Sequence, residues 1–143
     1  MNLLRWLWAL PLSLPGLLLW AMVRMVRGAQ HAQIQRVQGV PVLSVHGPWV
    51  KKLLELYPFF EPDALCIGCV VLARNQEMLN HLWMHELVHV KQALRWGILF
   101  PVLYLGASLW AVLRGRDAYY GNPFEQEALR AENAARENVQ KIR

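Results

Sequence analysis

The sequence predicts an α+β protein, mostly helical, with a small β-sheet beside a long central helix and an apolar helix at the amino terminus. Three observations lead there. Of 143 residues, 55% are apolar and 17% charged, against about 45–50% and about 25% in an ordinary soluble domain. An uncharged run of 18 residues, Trp6 to Val23, lies between Arg5 and Arg24. Beyond it, short β-type runs alternate with stretches of helical periodicity. The same composition excludes a disordered chain, which is poor in apolar residues, and a long coiled coil, which needs charged flanking positions. Two cysteines are too few for a disulfide-rich scaffold.

Trp6–Val23 spans about 27 Å as a helix, close to the thickness of bilayer hydrocarbon. Pro11, Pro15 and Gly16 loosen it, which membrane helices tolerate. Residues 1–27 are therefore expected to form a transmembrane or anchor helix in contact with membrane lipid. A cleaved signal peptide fits less well, because Arg24 and Arg27 stand where small residues should precede the cut. An interfacial helix is the third option. The net charge of +5 is not gathered into a basic stripe, so no nucleic-acid partner is expected. Arg24, Arg27 and Arg36 follow the apolar run and only Arg5 precedes it. That bias places the remainder on the cytoplasmic face of an inner membrane.

Residues 28–39 are polar and read as a linker to a domain over residues 40–143. Val40–Val45 reads as a strand ended by His46-Gly47-Pro48. Trp49, Val50, Leu53, Leu54 and Tyr57 carry helical spacing, and Pro58 stops that helix. Ala64–Ala73 is a continuous apolar run and reads as one buried strand. A helix is predicted over Gln76–Trp96, with Asn75 as N-cap and Gly97 just past its end. Gly97–Leu113 is again uncharged over 17 residues. Asn122-Pro123-Phe124-Glu125 then opens a last helix as a capping box.

The chemistry lies in His85-Glu86-Leu87-Val88-His89, an HExxH pattern. On a helix, residues i and i+4 share a face, so both imidazoles can bind one Zn2+ ion. Glu86 is placed to act as general base on a zinc-activated water. A catalytic zinc needs a third protein ligand and an open fourth position. A downstream histidine at position 95 is ruled out, since Arg95 stands there. Glu125 and Glu127 are the candidates, about 200° apart around a helix, so only one can face the ion. Glu125 is also the N3 residue of the capping box, so two roles compete for its carboxylate.

Other residues are weaker candidates. His81 is one turn before His85 and lies too far from His89 to share an ion with it. Gln92 is one turn beyond His89 and can hydrogen-bond near the site. Tyr119 and Tyr120 precede Glu125, where a phenol can stabilise an oxyanion or anchor at a membrane interface. Cys66-Ile67-Gly68-Cys69 lacks the second pair that a zinc ribbon needs. The two cysteines read as small buried hydrophobes.

HELVHVKQ followed by NPFEQEA resembles the gluzincin-type membrane metallopeptidases, which include the CAAX prenyl endopeptidases and the bacterial heat-shock membrane peptidases. It is more similar still to small bacterial zincin-like proteins that carry HELVHxxQ and YxxNPFExEA. The resemblance covers roughly residues 64–128. It implies a minimal zincin-like metallopeptidase domain with His85, His89 and Glu125 on zinc, Glu86 as the catalytic residue, and a protein or peptide substrate. Glu125-Gln126-Glu127-Ala128 matches the ExxA of the ExxAD element in the larger families. Leu129 replaces its Asp, which leaves a histidine without its usual hydrogen-bond partner. A non-enzymatic zinc-binding membrane protein that binds a partner or assists assembly is the alternative, and a membrane protein with no metal is a third.

One constraint follows. If Gly97–Leu113 crossed the bilayer, HExxH and NPFE would lie on opposite faces. Pro101, Gly106 and the short length point instead to a buried helix or one that dips into a leaflet, after which residues 115–124 bring Glu125 back. An intramembrane site is the runner-up, against which Lys91 and Arg95 weigh.

Overall fold

Strands that are buried on both faces need an apolar layer on each side, and the computed structural model supplies both. It describes residues 3–27, 31–37, 40–56 and 62–141. Helix α1 (Leu3–Arg27) leads into strands β1 (Ala32–Val37) and β2 (Val40–His46) and helix α2 (Pro48–Glu55). Strands β3 (Ala64–Ile67) and β4 (Val70–Ala73) precede helices α3 (Gln76–Trp96), α4 (Phe100–Leu113) and α5 (Pro123–Lys141). The sheet order is β1-β2-β4-β3, with β2 and β4 parallel and the outer pairs antiparallel.

Alternation along β2 and β4 sorts the core. Val42, Val71 and Ala73 meet Leu79, Leu87, Val90 and Leu94 of α3. Leu43, Val45, Val70 and Leu72 meet Val50 and Leu54 of α2 and Val23 of α1. The protein is thus α+β, mostly helical, with a small mixed sheet and an apolar amino-terminal helix. Helix α3 has the bounds that Asn75 and Gly97 predict, and the Asn75 side chain accepts a hydrogen bond from the Met78 N–H at 2.8 Å.

Three expectations are corrected. The polar stretch read as a linker contains β1, and its remaining residues 28–30, 38 and 39 lie outside those described. Gln33, Gln35 and Arg36 mask the strand signal because β1 is an edge strand, paired among the described residues with β2 alone. Ala64–Ala73 is a hairpin, not one strand, turning at Gly68-Cys69. Gly68 takes φ +63°, which a side chain rarely adopts. The second helix starts at Pro48 and ends at Glu55; its expected stop at Pro58 lies outside the described residues.

Helix α1 is also more than a tether. A stripe of small residues, Ala9, Ser13 and Gly16, presses on the sheet. Ser13 Oγ donates to Ala9 O at 2.9 Å and accepts from Cys69 N–H at 3.1 Å. A Cβ on Gly68 would lie 2.2 Å from Ser13 Oγ, and one on Gly16 2.8 Å from Val70 Cβ. Further along, Trp20 Nε1 donates to Gln33 O and Arg24 Nη1 to Ala32 O. The opposite face of α1 stays uncovered at Leu14, Leu18 and Met22.

Two helical stretches, Leu7–Val26 and Gln76–Leu113, are long and apolar enough to cross a membrane. The second is not straight. It breaks at Gly97, φ +55°, where Trp8 of α1 packs so closely that a Cβ would sit 2.4 Å from the indole. Beyond the break α4 doubles back. The rings of His89 and Tyr104 lie 6.3 Å apart, whereas a straight helix would separate them by about 22 Å. Helix α3 is a core helix with ten buried residues; the apolar surface belongs to α4.

Candidate metal centre

Helix α3 presents His85, Glu86 and His89 on its inward side, all buried. Helix α5 approaches across them and adds Glu125, which is 3% exposed. The imidazole Nε2 atoms of His85 and His89 lie 3.2 Å apart. His85 Nε2 is 3.2 Å from Glu125 Oε2, and His89 Nε2 is 3.3 Å from Glu125 Oε1. A tetrahedral ion with arms of about 2.0–2.1 Å separates its ligand atoms by about 3.3 Å. Three donor side chains therefore stand at the spacing that one such ion requires, and the two-nitrogen, one-carboxylate donor set suits zinc.

Glu127, the other candidate, is exposed and turned away. Its Oε2 accepts a hydrogen bond from Gln92 Nε2 at 2.8 Å. Gln92 does more. Its Oε1 lies 2.9 Å from His89 Nδ1, and its Nε2 also donates to Phe124 O at 3.1 Å. Nδ1 faces a carbonyl oxygen and so carries a proton, which leaves Nε2, on the Glu125 side, as the nitrogen that would bind a metal once its own proton is released.

Glu132 stands by the other histidine. Its Oε2 is 3.3 Å from His85 Nδ1, at ion-pair distance but not aligned as a hydrogen bond. Arg136 pairs with Glu132 and also donates to His81 Nε2. His81 thus sits in an exposed network behind the site. Leu129 offers no carboxylate here; Glu132, seven residues after Glu125 and so on the same face two turns later, is the one that approaches His85 Nδ1. That spacing is the signal that would have found it.

Two phenols enter from other elements. Tyr104 of α4 donates to Glu125 Oε1 at 2.6 Å. Sequence reasoning missed it because it lies within an apolar run. Tyr119 Oη is 3.4 Å from His85 Nε2, whereas Tyr120 is 67% exposed. Asn122 is fully buried. It caps α5 through the Phe124 N–H, and its side-chain amide donates to Tyr104 O and Ser108 Oγ, tying α4 to α5. The Glu125 carboxylate faces the imidazoles instead of closing the capping box.

Charge follows burial and these contacts. Burial pushes the Glu86 carboxyl up to about 7, with His89 and His85 pulling the other way. Glu86 Oε2 is buried without a hydrogen-bond partner among the described residues. Burial acts on Glu125 in the same sense, but hydrogen bonds from His85 and His89 outweigh it and hold that carboxyl well below the usual range. Burial disfavours a charged His89, yet the Glu125 carboxylate raises its pKa overall. Burial and the Glu125 charge push the Tyr119 phenol up, so it remains an O–H donor. Cys66 and Cys69 are free thiols, both pushed up chiefly by burial, and Cys69 lies in the hairpin turn.

Two hollows meet at this centre. One, of about 270 Å³, runs between Leu12 of α1, Phe100 and Pro101 of α4, and Leu65 and Cys66 of β3. The other, of about 700 Å³, passes Pro62, Asp63, Ser108, Asp117 and Tyr120. Both reach His85 and Glu86. Comparison of the chain with known protein families, curated proteins and solved structures finds no match.

Proposed function

We propose that this protein is a membrane-associated zinc metallopeptidase. The observation that supports it most is the convergence of His85, His89 and Glu125 beside a buried Glu86 carboxylate oxygen that has no hydrogen-bond partner among the described residues. When bound there, zinc would polarise a carbonyl and bring the pKa of water down toward about 7. Glu86 Oε2 takes the proton from the attacking water. It returns that proton to the amide nitrogen as the C–N bond breaks, so that hydroxyl ends on the acyl carbon and hydrogen on the amine. The Tyr119 phenol donates to the carbonyl oxygen as charge develops on it. Gln92 and Glu132 hold the imidazoles in orientation.

In this proposal α1 and α4 contact lipid. Leu14 and Leu18 on one, and Val102, Leu105, Leu109 and Val112 on the other, form uncovered apolar faces. Helix α4 is about 21 Å long, short of the roughly 30 Å of hydrocarbon. It dips into one leaflet while α1 anchors the chain, and the catalytic part faces the cytoplasm at an inner membrane.

A second role has one observation behind it. Tyr119 Oη lies close enough to His85 Nε2 to complete a closed shell, which would suit a non-enzymatic zinc-binding protein. Zinc content and peptide hydrolysis of the detergent-purified protein separate the two. About one zinc per chain is expected in the wild type, lost in His85→Ala and Glu125→Ala and kept in Glu127→Ala. Tyr119→Phe keeps zinc and loses hydrolysis if the site is catalytic, and loses zinc if the phenol is a ligand. A wild type that binds no zinc when the metal is supplied at pH 7 ends both.

A further inference from the structure

Helix α4 carries Tyr104 to the metal centre, yet little holds α4 in place. Ala111 is the one buried residue of its fourteen. Its ties to α5 are the packing of Phe100 and Tyr104 on Phe124, with ring centroids 5.5 and 6.4 Å apart, and the Asn122 amide on Tyr104 O and Ser108 Oγ. Its course over α3 is set at the break, where the chain leaves Trp96 through the short turn Gly97–Leu99.

The phenol is sensitive to that break. Tyr104 lies about 12 Å beyond it, from the rise of three 3₁₀ and four α-helical residues. A swing of about 10° at Gly97 displaces a group at that distance by about 2 Å. The hydrogen bond to Glu125 Oε1, 2.6 Å long, does not survive such a shift, because O–H···O bonds run about 2.5–3.0 Å.

Gly97 by itself resists the swing weakly. It has no side chain, and its φ of +55° lies where glycine moves freely. What blocks the swing is α1. Cδ1, Nε1 and the carbonyl oxygen of Trp8 stand where a Cβ of Gly97 would be. Leu12, one turn along α1, lines the hollow beside His85 together with Phe100 and Pro101, the first two residues of α4. Sharp bends arise at glycine or where a side chain inserts, and here the two coincide. Trp8 is also 47% exposed, so shortening it opens the bend without emptying the core.

We infer that Trp8 is a positioning residue for the metal centre: its indole, wedged at the Gly97 break, fixes the direction of α4 and so holds Tyr104 on Glu125. The amino-terminal helix is then part of the site as well as an anchor. The inference rests on the metal-binding half of the metallopeptidase proposal, and hydrolysis does not enter it.

The test is a double-mutant cycle on the full-length, detergent-purified protein, with zinc affinity read by competition against a chromogenic chelator. Trp8→Ala is expected to weaken zinc binding by about five- to tenfold in the wild-type background. In the Tyr104→Phe background it should weaken binding by less than about twofold, because the effect runs through the missing hydroxyl. Trp8→Phe, which keeps a ring at the bend, should stay within about threefold of the wild type. Leu7→Ala, on the same turn and 57% exposed, should change nothing. If Trp8→Ala does not fold, Trp8→Leu carries the same comparison. Hydrogen exchange of the metal-free protein gives a second reading: Trp8→Ala should speed exchange in α4 and leave α3 as it was. Equal losses of affinity in the two backgrounds overturn the inference, as do an unchanged affinity or a Leu7→Ala effect of the same size. The expected coupling without hydrolysis of any peptide upholds it and overturns the peptidase proposal. A wild type that binds no zinc also ends that proposal, and unchanged exchange in α4 of Trp8→Ala then overturns the inference separately.

Discussion

Tyr104 donates its phenolic hydrogen to Glu125 Oε1 at 2.6 Å, joining α4 to the carboxylate that faces His85 and His89. The bond exists only because α4 doubles back at Gly97. It makes the apolar helix part of the site's support, since Tyr104 O and Ser108 Oγ on the same helix also accept from Asn122. Tyr104→Phe removes the hydroxyl and keeps the ring against Phe100 and Phe124. Zinc affinity should fall by about tenfold, the lower end for loss of a group that orients a ligand. Competition against a chromogenic chelator reads this directly, and an unchanged affinity means that Tyr104 does not hold Glu125.

Gln92 has two jobs at once, and they can be separated. Its carbonyl oxygen faces His89 Nδ1 and its amide nitrogen reaches Glu127 and Phe124 O. Gln92→Ala should weaken zinc binding by about 10–100-fold, with most of the loss arising at His89. Glu127→Gln leaves the contact to His89 in place and should change affinity by less than about threefold. Equal losses in the two variants would show that Glu127, and not the imidazole contact, is what matters.

Much of the site is legible in the sequence, because HExxH needs only helical spacing, and Asn75 and Gly97 bracket that helix by capping chemistry. The placement of Glu125 over Glu127 depends on which way α5 is rolled against α3, and no local pattern states that. Tyr104 is hidden for a related reason. Within an apolar run it reads as membrane-facing until the break at Gly97 folds α4 over the site. The hairpin at Gly68-Cys69 is masked because β4 is buried on both faces, so the alternation that marks a half-buried strand is lost. In β1 the opposite happens, and polar residues on an edge strand resemble a linker.

The buried Glu86 should make the metal-free protein sensitive to pH in an unusual direction. Its carboxyl sits at about 7 in the folded chain and near 4.3 when unfolded, the ordinary value for Glu. Between those values the folded state holds a proton that the unfolded state has released, so stability falls as pH rises. The loss begins near the unfolded value, levels off above about 7, and is on the order of 3 kcal/mol. Glu86→Gln should remove that component, making the chelator-treated variant more stable than the wild type at pH 8 and similar to it at pH 4.5. Denaturation midpoints at the two pH values test this, and a wild type whose margin against Glu86→Gln does not change with pH refutes it.

The contact between Ser13 and Cys69 decides whether α1 is a detachable anchor or part of the fold. Ser13 Oγ supplies the acceptor for the Cys69 N–H in a fully buried turn. Ser13→Ala leaves that N–H without its partner, at a cost of about 1–3 kcal/mol. Gly68→Ala should cost more, because it adds strain at φ +63° to a Cβ placed 2.2 Å from Ser13 Oγ. Both variants should also expose the hairpin to protease earlier in a denaturant series than the wild type, since α1 must lift to relieve either change. Gly106→Ala is the control, because nothing lies within 4 Å of the added methyl. If Ser13→Ala and Gly106→Ala behave alike, α1 serves only to tether the domain, and the small-residue stripe Ala9, Ser13 and Gly16 carries no stability.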